Sequence, residues 1–469
     1  SASELGLYSG TALQSIPAGT SPTPSNFRSE SHIYEEVLVG RAYLGETLTG
    51  AFAGVNGNVY STISLASFSE RKSPDAKDTN SLLTLAREEV AKEGSTPALV
   101  AAATKARAVE SGFSEEDANY EASKAVARAI AEKEYETGND AAKAGQRAAE
   151  AAAILHEGSS DSIGFAVSEG IAEKALEKGK APAEVAEATK LAALSAGVDE
   201  EQAKGMAGYV ASREVTHKAL DNGESASDAA LKARQAAEGA GYHPDIAKQL
   251  AADVATQEVT ERSVAKGDSI AETAAKARQA AEGAGLDSET AKERAADVAT
   301  AKVTEKALAQ GDSVAEVAAK ARQAAEGAGL DSEKAKEKAA DIAAAKVTEK
   351  SLADGDSIAE SAAKARQAAE GAGLDAETAK DRAADVAADK VAEKAIADGK
   401  SAAEAGAEAL AAAKAAGVSD EKAKEKAGTR AADIAAEEAI SKGLSEEEAR
   451  DRAKAAAEAA GFNATDAEQ

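Results

Sequence analysis

Cysteine is missing from all 469 residues, which excludes disulfides, thiolate metal sites, cysteine nucleophiles and thioether-linked pigments. Tryptophan is also missing, methionine occurs once (Met206), and aromatics make up only 3%, too little for one large compact core. Basic charge is scarce. The 55 Lys and Arg face 82 Asp and Glu, a formal charge of −27 with a pI near 4.7. That balance opposes nucleic-acid binding, which draws on basic patches, and favours a soluble, self-repelling surface. No run of eighteen apolar residues exists, so no membrane span is expected.

Recognisable chemistry is equally thin. His32, His156, His217 and His243 are scattered without metal-ligand spacing and read as solvated or helix-surface residues. Walker, dinucleotide-binding and nucleophile-elbow patterns are absent. Asp354-Gly355-Asp356 and its relatives lack the twelve-residue ligand pattern of an EF-hand. Acidic residues beside Lys and Arg at helical spacing are what a solvated, ion-paired helix face requires. These observations point to no catalytic, cofactor or metal site, and no small-molecule substrate.

What is present is repetition. Arg234, Arg278, Arg322 and Arg366 recur every 44 residues in the phrase Ala-Arg-Gln-Ala-Ala-Glu-Gly-Ala-Gly. A fixed period of this length marks an architecture of stacked supersecondary units. Glycines divide it at alternating spacings of 18 and 26, from Gly267 and Gly285 through Gly311, Gly329 and Gly355. Each reads as a helix stop, because glycine takes the left-handed conformation at little steric cost. Ser269, Ser313, Ser357, Ser401 and Ser445 lie two residues past a glycine and three before a glutamate, the pattern of a capping box. The expectation is an all-α, Ala-rich helical-hairpin solenoid over 78–461, with about eighteen helices, alternately about four and six turns long. Its short helix presents Ile270, Ala274, Ala277, Ala281 and Ala284 on one face, and its long helix carries Val298, Val303 and Leu308. The repeated arginine is expected to pair with a glutamate one turn away, or to serve as a docking point along the rod.

Two regions break the pattern. Residues 1–77 hold seven of the fourteen aromatics and four of the seven prolines. They read as an extended, partly β or irregular arm, with Ile33–Val39 and Val59–Leu65 as strands and Asn56-Gly57 as a turn. Tyr8, Phe27, Tyr34, Tyr43, Phe52, Tyr60 and Phe68 are its candidate partner-binding residues, since aromatics are enriched at interfaces. A cap on the first helical unit is the alternative reading of this arm. The second region, 139–178, shortens the period to 41 and carries Leu155 and Phe165 as further partner-binding candidates. A bend in the rod is the structural alternative there. Residues 462–469 form a polar tail whose Asn463-Ala464-Thr465 is a lone glycosylation-type match, and the chain opens on serine, which fits either a removed leader or a numbering boundary.

Three roles suit this composition: a non-catalytic linker or scaffold, an acidic extracellular or cell-surface stalk, and a stress-protective protein of the late-embryogenesis type. Regular glycine stops and capping boxes favour a fixed fold, and the arm favours the linker. The arm Ser1–Lys77 followed by Ala-rich units resembles, at the level of architecture, the accessory linker proteins of large light-harvesting assemblies of the red-algal phycobilisome type. That resemblance implies a colourless scaffold on the stromal face of the chloroplast thylakoid, with other protein subunits as partners. It carries over no catalytic or pigment-binding residue.

Overall fold

A computed structural model describes the backbone of residues 50–53, 59–62, 76–155 and 158–462. Two short strands, β1 (Gly50–Ala53) and β2 (Val59–Thr62), pair antiparallel with Phe52 opposite Tyr60. The Asn56-Gly57 turn and the Ile33–Val39 strand of the sequence reading lie outside the described residues. Helix begins at Ala76, two residues ahead of the sequence boundary.

Eighteen α-helices follow among the described residues. The first nine are α1 (Ala76–Ala91), α2 (Pro97–Glu110), α3 (Glu115–Glu136), α4 (Ala141–Ala152), α5 (Ser160–Glu177), α6 (Pro182–Ser195), α7 (Glu200–Asp221), α8 (Ala226–Gly239) and α9 (Pro244–Lys266). The second nine are α10 (Ile270–Ala284), α11 (Ser288–Gln310), α12 (Val314–Ala328), α13 (Ser332–Ala353), α14 (Ile358–Gly371), α15 (Ala376–Ala397), α16 (Ala402–Ala416), α17 (Asp420–Ser441) and α18 (Glu446–Ala459). Short and long helices alternate, as in α12 with 15 residues and α13 with 22. The chain is thus an all-α helical-repeat protein. It divides into two compact units, one running to Glu258 and including Gln279–Asp287, the other holding Val259–Arg278 and the residues from Ser288 onward.

Helix ends follow the local chemistry. At the start of α12, Ser313 Oγ accepts from Glu316 N at 3.4 Å while Glu316 Oε2 accepts from Ser313 N at 2.9 Å. The same reciprocal pair opens α14, α16 and α18. Before α6 the serine is replaced by Ala181, so only half the box survives, with Glu184 accepting from Ala181 N. Long helices start differently: Asp331 Oδ1 accepts from both Glu333 N and Lys334 N, and Asp375 repeats this at α15. At the end of α12, Gly329 sits at φ 101° and Leu330 N donates to Ala325 O, a Schellman closure that buries Leu330. Ser313→Ala should therefore cost about 1 kcal/mol, read as faster hydrogen exchange in the first turn of α12. Unchanged exchange there would show that the hydroxyl caps nothing.

The core is alanine packed against alanine. In α10 the residues Ala274, Ala277, Ala281 and Ala284 are fully buried with Ile270 half-buried at the head of the stripe, and in α11 Val298 and Val303 are buried. Large residues are accommodated singly. The residue that follows a short-helix stop faces position 164, 208 or 428 of the long helix before it, and these are glycines: Gly164 faces Val198, Gly208 faces Tyr242 and Gly428 faces Phe462. At the equivalent repeat positions 296, 340 and 384, where the following residue is Leu or Val, the chain has alanine. The two largest of these residues, Tyr242 and Phe462, thus meet glycine, but so does the small Val198, so residue size alone does not set the choice.

In 139–178 the short helix α4 stops at 12 residues, a 3-10 turn follows over Ala153–Leu155, and the long helix α5 has only 18 residues. The missing length is thus taken from both helices of the hairpin.

Candidate functional site

Side chains bearing charge are arranged chiefly between helices. In the first unit, Glu132 on α3 accepts from Arg87 of α1 through both oxygens at 2.6 Å and from Arg128 at 3.1 Å. Arg128 continues to Glu169 at 2.7 Å and Glu173 at 3.1 Å on α5, and Arg213 of α7 also reaches Glu169. One network therefore ties four successive long helices. Burial alone would raise the Glu173 carboxyl, but Arg87 and Arg128 outweigh it and hold it below its ordinary value. His217 pairs with Glu258, and the hydrogen bond to that carboxylate, working against burial, keeps the imidazole protonated above its ordinary range.

The second unit solves the same problem with lysine. Lys302 on α11 bridges Glu261 at 3.0 Å and Glu305 at 3.4 Å; Lys346 on α13 bridges Glu305 at 3.2 Å and Glu349 at 3.5 Å. Lys390 on α15 bridges Glu349 at 3.1 Å and Glu393 at 2.9 Å. Each lysine grips the helix before it and a glutamate one turn along its own. Burial would lower Lys390, yet Glu393 and Glu349 prevail and hold its ammonium above the ordinary lysine value. The ladder ends where Ile434 occupies the next lysine position and packs into the core instead.

Beside this terminus, burial and then Glu393 push the Asp389 carboxyl up to about 6; Lys390 of α15 and Arg430 of α17 pull the other way, and Glu437 of α17 adds to the rise. Its folded value lies above its ordinary 3.8, so folding disfavours the ionised form. The stability lost at neutral pH is recovered as pH falls through 6 toward 4. Asp389→Asn should therefore raise the thermal midpoint at pH 7.5, with the gain shrinking by pH 5. An equal gain at both pH values would show that ionisation of Asp389 is not the cause.

The repeated arginine has a second partner that its own helix does not supply. Arg234 Nη1 donates to Ala284 O at 3.3 Å and Arg278 Nη1 to Ala328 O at 3.5 Å, each the last carbonyl of the next short helix. A cation there complements the helix dipole and an orphan carbonyl together. Arg234 and Arg322 also lie 3.5 and 3.4 Å from the glutamate four residues on, so the intrahelical pair expected from sequence is present beside the clamp.

The partner-binding candidates are distributed as follows. Phe52 and Tyr60 are cross-strand neighbours of the β1–β2 pair, while Tyr8, Phe27, Tyr34, Tyr43 and Phe68 lie outside the described residues. Leu155 and Phe165 are half-buried and pack against the first unit's own core, Phe165 with its ring centroid 6.5 Å from that of Tyr209. Ile154, by contrast, is 42% exposed. It borders a groove of about 480 Å3 floored by Val90, Pro97, Val100, Ile130 and Ala151 and rimmed by charges of both signs, Lys133, Glu150 and the Arg147–Glu134 pair. The groove exists because α2 and α4 touch only slightly, whereas α4 packs closely on α6 and α6 on α8. Sequence gave one clue to it, the shortened period that truncates α4.

No family model and no curated protein matches this chain. Among solved structures it is similar to a circular tandem repeat protein with novel repeat topology and enhanced subunit contact surfaces, at 16% identity and a TM-score of 0.14. That likeness covers 81% of this chain and 94% of the other. At such a score the fold rests on the chain's own helices. Among the described residues no helix is long and apolar enough to cross a membrane.

Proposed function

We propose that this chain is a non-catalytic linker or scaffold that joins protein subunits of a large assembly. The observation that carries the reading is where its chemistry goes. Charged side chains with shifted ionisation, such as Lys390, Glu173 and Arg213, are shifted against the pull of burial by ion-pair partners on their own and neighbouring helices of the same unit. They hold helices in register, and perturbed groups of that kind are structural, whereas groups poised for reaction converge on a cleft.

In this reading the helical repeats supply the stiff span, and the aromatics of residues 1–77 supply the attachment. A buried aromatic anchor contributes roughly 1–2 kcal/mol or more at an interface, and seven of them suffice for a specific contact. The light-harvesting setting rests on the architectural resemblance alone. The test is sedimentation of native extract containing the full chain or a chain lacking 1–77. The full chain should travel with a large complex, and the truncated chain should travel alone while keeping its helix content per residue. A truncated chain that still co-sediments in full would move the attachment onto the repeats.

A further inference from the structure

Along the helical repeats, short helices pack on one another by a recurring contact. Counted from the N-cap, the fifth residue of one short helix meets the eleventh of the next, and the second meets the fourteenth. Gly145 of α4 lies against Ala192 of α6, and Gly406 of α16 against Ala456 of α18, so closely that a Cβ on either glycine would overlap the opposing carbonyl. Ala183 likewise meets Gly239, Ser227 meets Gly283 and Ala271 meets Gly327. The contact is backbone on backbone, and only small residues fit it.

Two short helices break this pattern, each on one side only. From α2 to α16 the fifth residue is alanine or glycine and the second is alanine or serine; in α18 these places hold Arg450 and Glu447, both exposed. From α4 to α18 the eleventh residue is a buried alanine; in α2 it is Arg107, with Glu110 in the fourteenth place, their side chains 49% and 72% exposed. The opposite sides keep to the pattern, with Ala456 and Ala460 of α18 and Ala101 and Ala108 of α2 all buried. Among the described residues α2 is the first short helix and α18 the last. The charges therefore stand on the two sides that no other described short helix covers.

We propose that α2 and α18 are charged caps that keep a second copy of this chain from stacking end-on through the repeat contact. If α18 of one copy met α2 of another as α16 meets α18, Arg450 would fall on Arg107 and Glu447 on Glu110. Bulk opposes this first, because long side chains would stand where the repeats bring backbone against backbone. Charge opposes it again, because each pairing sets like charges together and takes them out of water. The order of the residues matters. With arginine at 447 and glutamate at 450, each would have met its opposite. This inference goes beyond the linker reading and does not depend on it.

An array of like repeats needs such caps. Its two ends, left in the common pattern, would be complementary to each other, and a contact of front on back that does not close adds copies without limit. Terminal repeats with a polar outer side prevent this. The formal charge of −27 repels copies only diffusely, and salt screens it beyond about 10 Å, whereas Arg107, Glu110, Glu447 and Arg450 act at contact distance.

The test removes the caps from the full chain. With Arg107→Ala, Glu110→Ala, Glu447→Ala and Arg450→Ala combined, sedimentation velocity over about 1–100 μM should show a weight-average mass that rises to at least about twice that of the unaltered chain. Helix content per residue should hold, since alanine is the better helix former at these exposed positions. Two half-altered chains fix the geometry. Arg107→Ala with Glu110→Ala, and Glu447→Ala with Arg450→Ala, should each sediment as the unaltered chain does, while their equimolar mixture forms a one-to-one complex and stops there. A fourfold variant that keeps the mass of the unaltered chain at every concentration would overturn the caps. So would either half-altered chain associating by itself, because that contact would not be the one the repeats use.

Discussion

Gly239→Ala should destabilise the α6–α8 contact by about 2 kcal/mol, although alanine is the better helix former. The residue ends α8 in ordinary helical conformation, so relief of backbone entropy would by itself favour alanine by about 1 kcal/mol. Space decides otherwise. A Cβ at 239 would stand 2.4 Å from Ala183 Cα and 2.7 Å from Ala183 O, backbone atoms that yield only if α6 moves. The neighbouring repeats provide a graded series. At Gly327 and Gly371 the nearest approaches are 3.0 and 3.1 Å, so alanine there should be near neutral, propensity offsetting a slight overlap. Because repeat arrays unfold in parts, the measurement is amide exchange in α6 and α8 and in α12 and α14. Stabilisation of Gly239→Ala to the same degree as Gly371→Ala would show that α6 and α8 are not in such close contact.

Features confined to one or two turns of chain were legible beforehand. The serine–glutamate boxes, the left-handed stop at Gly329 and the burial of Leu330 each need residues no more than five apart. Features joining one hairpin to the next were not. Gly239 and Gly241 stand two apart in the same phrase, yet Gly241 has φ 100° and ends a helix, while Gly239 is helical and admits a neighbour. The large apolar Tyr242 after Gly241 marks that glycine as the stop, but nothing in the string says that Gly239 admits a neighbouring helix. Arg234 was legible as the partner of Glu238 but not of Ala284, which lies 50 residues on. The ladder of Lys302, Lys346 and Lys390 does leave a trace, a lysine and a glutamate both recurring at the repeat period.

A second trace is a compensated exchange. Lys276 pairs with Asp268, Lys320 with Asp312 and Lys364 with Asp356, each eight residues apart across the loop into a short helix. In the following repeat both members change sign, and Lys400 pairs with Glu408. The contact therefore requires opposite charges and is indifferent to which side bears which. The groove was the least legible feature. A shortened period announces that something differs near 139–178, but whether the gap is closed or left open depends on how α2 meets α4, and no spacing records that.

Glu132→Ala should be among the most damaging single substitutions in the first unit, at about 2 kcal/mol. Its carboxylate is 5% exposed and accepts from Arg87 and Arg128, whose side chains are 39% and 21% exposed. Removing it leaves two cations partly desolvated. Neither is abandoned, since Glu173 still lies 2.9 Å from Arg87 and 3.1 Å from Arg128, which places the effect below the usual cost of breaking a fully buried pair. Asp354→Ala is the control. Its pair with Lys350 is about half exposed on both sides, and the loss should stay under about 0.5 kcal/mol. Salt separates them again: 0.5 M sodium chloride should abolish the small effect of Asp354→Ala and leave most of that of Glu132→Ala, since screening acts on exposed charge. The readout is exchange protection across α1, α3 and α5, the helices that the network joins. If Glu132→Ala slackened only its own helix, or matched Asp354→Ala in size and salt response, the network would be surface decoration and the register of these helices would rest on alanine packing alone.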